Sequence, residues 1–147
     1  VSLEAFHAGL KARLLSDAGL GAWASGHFSR ALTAIDGNIP INTLGDGEVP
    51  ALIFELGDGE GQGTDGELQD WVADIHIALV WTEPGPSSAF AQRLELPGLL
   101  ARAIIADPSL GGSGVVARLS AFESDRGANH PTHVMRATVS AFYIEGS

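Results

Sequence analysis

WVADIHIALVW, residues 71–81, alternates without a break. Successive side chains of a strand point to opposite sides, so Trp71, Ala73, Ile75, Ile77, Leu79 and Trp81 share one face, with Val72, Asp74, His76 and Ala78 on the other. The alternation predicts a half-buried strand. Upstream, ALIFEL (51–56) is a short apolar run bounded by Pro50 and Gly57, and it reads as a second strand. Between them lies LGDGEGQGTDGELQDW (56–71), with five glycines and the five acids Asp58, Glu60, Asp65, Glu67 and Asp70. This stretch is then a hairpin connection, longer than the roughly two to five residues usual for one.

Context decides among the motifs inside it. Gly61-x-Gly63-x-x-Gly66 has the spacing of a dinucleotide fingerprint, but that motif must follow a strand and open a helix whose N-terminus meets the pyrophosphate. A strand follows here, so the match is accidental. A calcium loop starting at Asp58 would place Glu60, Gln62 and Gly63 near ligand positions, yet its last position is Gln69 instead of a bidentate Glu, and no helices flank it. The expectation is a mobile acidic loop that orders against an Arg-bearing partner.

Toward the N-terminus, Leu3, Phe6, Leu10 and Leu14 recur at helical spacing, with Ser2 as a cap and Glu4 in the first turn. They predict an amphipathic helix over 2–16 that stops near Gly19 and Gly21. Residues 22–50 alternate only weakly, around Phe28 to Ile35, and read as an irregular crossing with at most one short strand. Trp23 and Phe28 lie there as candidates for interface anchors and equally for the core.

Toward the C-terminus, Ser87 or Ser88 can cap a helix over 88–106 carrying Phe90, Leu94, Leu100 and Ile104. Pro97 predicts that this helix is kinked or divided. Asp107-Pro108 ends it. GVVARLSAF (114–122) sets Val115, Ala117, Leu119 and Ala121 opposite Arg118 and Ser120; HVMRATVSAFYI (133–144) sets Met135, Ala137, Val139, Ala141 and Tyr143 opposite Arg136, Thr138 and Ser140. The loop ESDRGANHP joins them as a second hairpin. The expected fold is α+β, one domain over 1–147: an antiparallel-rich sheet of four to five strands in two hairpins, with two main helices packed on one face.

At 147 residues the chain buries roughly 70% of its unfolded surface and builds its own core. It has no cysteine, so thiolate metal sites and disulfides are excluded. The start lacks the basic-then-apolar order of a signal peptide, and no apolar run suffices to span a bilayer, so a soluble protein without membrane partners is expected. The net charge of −10 argues against gripping nucleic-acid phosphates. Its distribution is uneven. Between Arg30 and Arg93 there is no Lys or Arg, but there are Asp36, Asp46, Glu48, Glu55, Asp58, Glu60, Asp65, Glu67, Asp70, Asp74 and Glu83. Seven of the eight cations are Arg, which favours interface contacts. An acidic middle and Arg-bearing ends suit head-to-tail pairing between copies, set against the plainer reading of a solvated acidic surface.

Chemistry-bearing groups are few. His130 and His133 near Glu123 and Asp125 offer a metal cluster or an acid/base pair, but Pro131 between them aims the rings poorly, and surface histidines are expected. His76 beside Asp74 reads as a structural hydrogen-bonded pair. No Gly-x-Ser-x-Gly elbow, Walker loop or His-Glu-x-x-His motif occurs, so no catalytic, cofactor or metal site is expected and the chain is not read as an enzyme. The reading of another class is a small-ligand module or enzyme using Asp74, His76, His130 and His133.

The order of SLEAFHAGLKARLL (2–15), VPALIFELGDGE (49–60), the acidic stretch, WVADIHIALVW, FAQRLELPGLLARAII (90–105) and VVARLSAFESDRGANHPTHVMRATVSAFYIEG (115–146) resembles the tail-terminator, or tail-completion, proteins of tailed bacteriophages. The resemblance spans nearly the whole chain and lies in element order and texture. It implies a structural virion protein, assembled in the host cytoplasm, whose homo-hexameric ring caps the tail tube at its head-proximal end. Such a ring ends tube growth and presents a surface to the head–tail connector, with DNA only as passing cargo. Connector stoppers and tube subunits are similar in shape and chemistry and are the alternatives. The residues expected at subunit or tube contacts are Trp23, Phe28, Arg30, Asp58, Glu60, Asp65, Glu67, Arg118, Arg126 and Arg136.

Overall fold

The computed structural model describes residues 1–37, 43–45, 47–66, 68–82, 86–129 and 131–146, the side chains of 62, 64, 65, 86, 87 and 146 excepted. Helix α1, Leu3–Ser16, begins where the Ser2 hydroxyl accepts the Ala5 N–H at 3.2 Å, and it buries Phe6, Leu10 and Leu14. Asp17 ends it and starts the next helix. Its backbone N–H bonds the Leu14 carbonyl, and its carboxylate accepts the Leu20 N–H at 2.9 Å and Arg13 Nη2 at 2.9 Å. Helix α2, Ala18–Phe28, buries Leu20, Trp23 and Ala24 and stops at Ser29, which takes the left-handed conformation at φ 57°.

An irregular crossing was the expectation for this segment, and its first part is a helix instead. Three glycines depress its intrinsic helix propensity. Capping by Asp17 and burial of one apolar face offset that, as tertiary context commonly does. A Cβ at Gly19 would come within 3.2 Å of Leu99, so glycine there lets the helix approach its neighbour closely. The expected short strand follows as β1, Thr33–Asp36.

Strands β2, Ala51–Asp65, and β3, Leu68–Thr82, form the first hairpin; helix α3 is Pro86–Ala106; β4, Val116–Ser124, and β5, Thr132–Gly146, form the second. The sheet order is β1-β2-β3-β5-β4, with β1 parallel to β2 and every other pair antiparallel. The fold is α+β with a mostly antiparallel sheet. Helix α3 runs undivided through Pro97 and starts at Pro86, two residues before the expected start at 88. Burial of Leu96 and Leu100 on either side of Pro97 holds the turn that the missing N–H weakens.

One layer of apolar side chains lies between helices and sheet. Phe6, Leu10, Leu14, Leu20, Trp23, Leu96, Leu100 and Ile104 meet Leu52, Phe54, Ile75, Ile77, Leu79, Trp81, Met135 and Val139. The alternation of β3 and β5 therefore faces the core as expected. Two details differ. A bulge between Leu119 and Ala121 moves Ala121 from the core face to the register of Thr138 on the opposite face. That opposite face carries its own small cluster, Ile53, Ala78, Val80 and Val134, packed against Ile35, Leu44 and Val49. Among the described residues no helix is long and apolar enough to cross a membrane.

Candidate functional site

Beyond Leu56 the first hairpin changes character. Register shifts between Leu56 and Gly59 and between Gly61 and Gly63 put two bulges into β2, and no described residue from Gly57 to Asp70 is buried. The stretch expected to be a loop is paired strand up to Asp65 opposite Leu68, with Gly66 at φ 66° in the turn. Alternating glycines permit this. A Cβ at Gly57 would stand 2.8 Å from the Asp74 carbonyl oxygen and 2.9 Å from His76 Nε2, so only glycine fits the first bulge without displacement. Near the tip, Gln69 Nε2 donates to the carbonyls of Gly63 at 2.9 Å and Asp70 at 2.8 Å. Strand β5 pairs with β3 out to Gly146 opposite Leu68, so the ribbon is three strands wide. Asp58 and Glu60 are exposed along it. The Asp65 side chain and Glu67 lie outside the described residues.

The sheet face turned away from the helices is polar in its middle. His76 Nδ1 lies 3.0 Å from Thr138 Oγ1, and Ser140 Oγ donates to Asp74 Oδ1 at 2.6 Å with Ser120 Oγ 2.9 Å away. Asp74 and His76 each bond across to β5, which corrects the expectation that they pair with each other. They are next-nearest neighbours on one strand, whereas register puts Thr138 and Ser140 directly opposite them. A groove of about 420 Å³ runs here between Glu55, His76, Ala121, Phe122, Glu123, Arg136 and Thr138, with Arg136 Nη1 at 4.0 Å from Glu55. His76 is held between Thr138 and the backbone of Gly57, so its ring is a packing element of the bulge.

His133 was expected at the surface and is buried. Arg93 Nη2 donates to its Nδ1 at 2.9 Å and to Asp125 Oδ1 at 2.6 Å, while Arg93 Nη1 donates to Ser124 Oγ at 3.2 Å. Trp81 lies against the imidazole at 5.7 Å and donates its Nε1–H to Gln92 Oε1 at 2.8 Å. A guanidinium thus occupies the side of His133 and Asp125 that a cation would need, and among the described residues no group of metal-ligating side chains is assembled. Burial pushes the Asp125 carboxyl up, but the Gly127 N–H, Asn129 and the Arg93 charge together hold it below the usual carboxylate value. Glu123 lies away from this cluster, exposed in the register of Arg136. His130 lies outside the described residues.

Sequence reasoning did not find Gln92 and Arg93. The signal was a polar pair in the first half of a helix whose neighbours are apolar, but their partners come from β3 and the second hairpin, which only the fold brings together.

The remaining expected contact residues divide between core and surface. Trp23 is 4% exposed and packs edge-on against Trp81 at 5.5 Å and Phe28 at 5.3 Å, so it belongs to the core of the chain's own fold. Phe28 is half-buried beside it. Arg30 is exposed and donates to the Val49 carbonyl at 3.2 Å. Arg118 on β4, Arg136 on β5 and Arg126 in the turn between them, at φ 56°, are exposed. Asp58 and Glu60 thus lie on β2 and Arg118 and Arg126 at the β4 side of the sheet, where Glu123 is exposed as well, while Arg136 on β5 comes within 4.0 Å of Glu55 on β2. No protein-family model matches the chain, and no curated protein matches it either.

Proposed function

We propose that the protein is a structural subunit that works by assembling with copies of itself, as a ring that caps a phage tail tube and forms the surface joining head to tail. The observation that carries this reading is the uneven spread of arginine across one sheet, with none on β2 and exposed arginines at β4, where Glu123 is exposed beside them. Asp58 and Glu60 line the β2 side, and Arg118 and Arg126 lie on the β4 side. Such a subunit is suited to heterologous, head-to-tail contacts, the kind that close into rings. The resemblance of the element order to tail terminators supplies the ring's station and its partners, tail-tube and connector proteins. The polar groups that offered catalysis, His76 and His133, are engaged in packing and hydrogen bonds, which favours assembly over turnover. A surface dominated by carboxylates lets DNA pass a ring lumen without adhering.

Negative-stain images of the purified protein test this directly. A six-fold annulus with a DNA-sized hole, dissociating as salt is raised because exposed Arg–carboxylate contacts are screened, is expected. Particles without a ring, together with failure to bind isolated tail tubes, overturn the reading.

A further inference from the structure

Helix α3 is apolar on two faces. Its inner face buries Ala89, Leu96, Leu100, Ala103 and Ile104. Its outer face exposes Phe90 at 63%, Leu94 at 67% and Ile105 at 74%. At about 100° per residue Phe90, Leu94, Ala101 and Ile105 form one stripe on that outer face. Large apolar side chains in a row on an exposed face mark an interaction site.

The stripe has a symmetry of its own. Its members are spaced equally about the Pro97–Gly98 peptide: Phe90 lies as far before it as Ile105 lies after, and Leu94 as far before as Ala101 after. The sequence of the stripe is therefore the same in kind when read from either end. Two copies crossing antiparallel about a two-fold axis through Pro97–Gly98 would set Phe90 against Ile105 and Leu94 against Ala101, with the Arg102 guanidinium, which lies over Gly98, beside the axis. Glu95 and Arg102 lie on the same flank of the stripe. In that arrangement Glu95 of each copy comes beside Arg102 of the other, less than one helical turn away along the axis. Within one subunit Glu95 is half exposed and lies 3.2 Å from His27, while Arg102 is exposed and makes no ion pair among the described residues.

We propose that the outer face of α3 is a docking surface for a second copy of this chain, joined antiparallel about Pro97–Gly98 by the apolar stripe and two reciprocal Glu95–Arg102 ion pairs. This goes beyond the ring reading. A two-fold contact is isologous and closes at two copies, whereas ring contacts are heterologous and use the sheet's charged sides.

Sedimentation velocity over a wide concentration range tests it. The wild-type protein is expected to show a reversible step that doubles its unit mass, and Leu94→Glu to abolish that step while the melting temperature stays unchanged. Glu95→Arg and Arg102→Glu are each expected to weaken the step roughly tenfold, because each removes a pair at two symmetric places. The double variant E95R/R102E is expected to restore it. A wild-type protein that never doubles, or a doubling indifferent to Leu94→Glu, overturns the proposal, and so does a double variant no better than the singles. The ring reading stands or falls separately: a six-fold annulus formed by Leu94→Glu would keep the ring and leave only the two-fold step dependent on α3.

Discussion

The two halves of the β2–β3 hairpin are built from the same pair of strands and are held by different forces. From Ala51 to Phe54 every residue of β2 is buried, opposite Ile77 to Val80, between the helix layer and the segment that carries Leu44 and Val49. From Gly57 outward no described residue of β2 is buried, the register breaks at two bulges, and glycine occupies every second position to Gly63. Burial specifies the proximal half. The distal half persists through backbone pairing, glycine geometry and the support of β5. Apolar alternation is thus sufficient for a strand without being necessary, and a strand stripped of side chains is free to display charge.

Substitutions that remove burial separate the halves most sharply. Ile77→Ala, at a fully buried position, is expected to cost about 3–4 kcal/mol in denaturant unfolding, whereas Val72→Ala on the distal half costs about 1 kcal/mol or less. Equal losses at both sites would erase the distinction. Gly57→Ala probes the boundary between them: the new methyl meets backbone at Asp74, and a loss of about 1–3 kcal/mol with a local change in amide shifts around His76 is the expected outcome.

Beside the proximal half, acid sensitivity enters through β1. Asp36, at the end of β1, accepts hydrogen bonds from Lys11 at 2.9 Å and His7 at 2.8 Å on α1. The Lys11 hydrogen bond foremost, then His7, against an opposing push from burial, hold its carboxyl below the ordinary value. Because the folded-state value is the lower one, this contribution is complete above the ordinary carboxylate value near pH ~4 and is lost as pH falls from there through the lower folded-state value. Asp36→Asn should therefore flatten the acid limb of the stability profile, by less than about 1 kcal/mol for so exposed a contact. The smallest effect is expected at the distal acids: Asp58→Asn and Glu60→Gln should leave the unfolding midpoint within about 0.5 kcal/mol of wild type and alter only the salt dependence of association.

The same contrast explains what was legible in the sequence. Strands β3 and β5 and helix α1 announce themselves because their burial is periodic, and the core faces expected for Ile75, Ile77, Leu79, Met135 and Val139 are the observed ones. Helix α2 was illegible because its glycines speak against helix, while the residue that starts it, Asp17, looks like the end of α1. The distal ribbon read as a loop for the opposite reason: glycine and acid are turn chemistry unless a partner strand supplies the pairing, and β3, which does so here, is held on its other side by β5, far along the chain. Of the candidate site, the exposure of Asp58, Glu60 and Arg118 followed from their chemistry. The cluster of Arg93, Asp125 and His133 did not, since three elements distant in sequence must meet before a guanidinium can bridge them.

Asp17 ties two helices at one side chain, and that bond fixes more than an angle. Adding or deleting a single residue on either side of it would swing one helix about 100° around its axis relative to the other, taking Leu10 and Leu14 out of phase with Leu20 and Trp23. The elbow at Asp17 therefore admits only one phasing, so length variation in this chain should be tolerated far better at the tip of the acidic ribbon than anywhere along its first thirty or so residues.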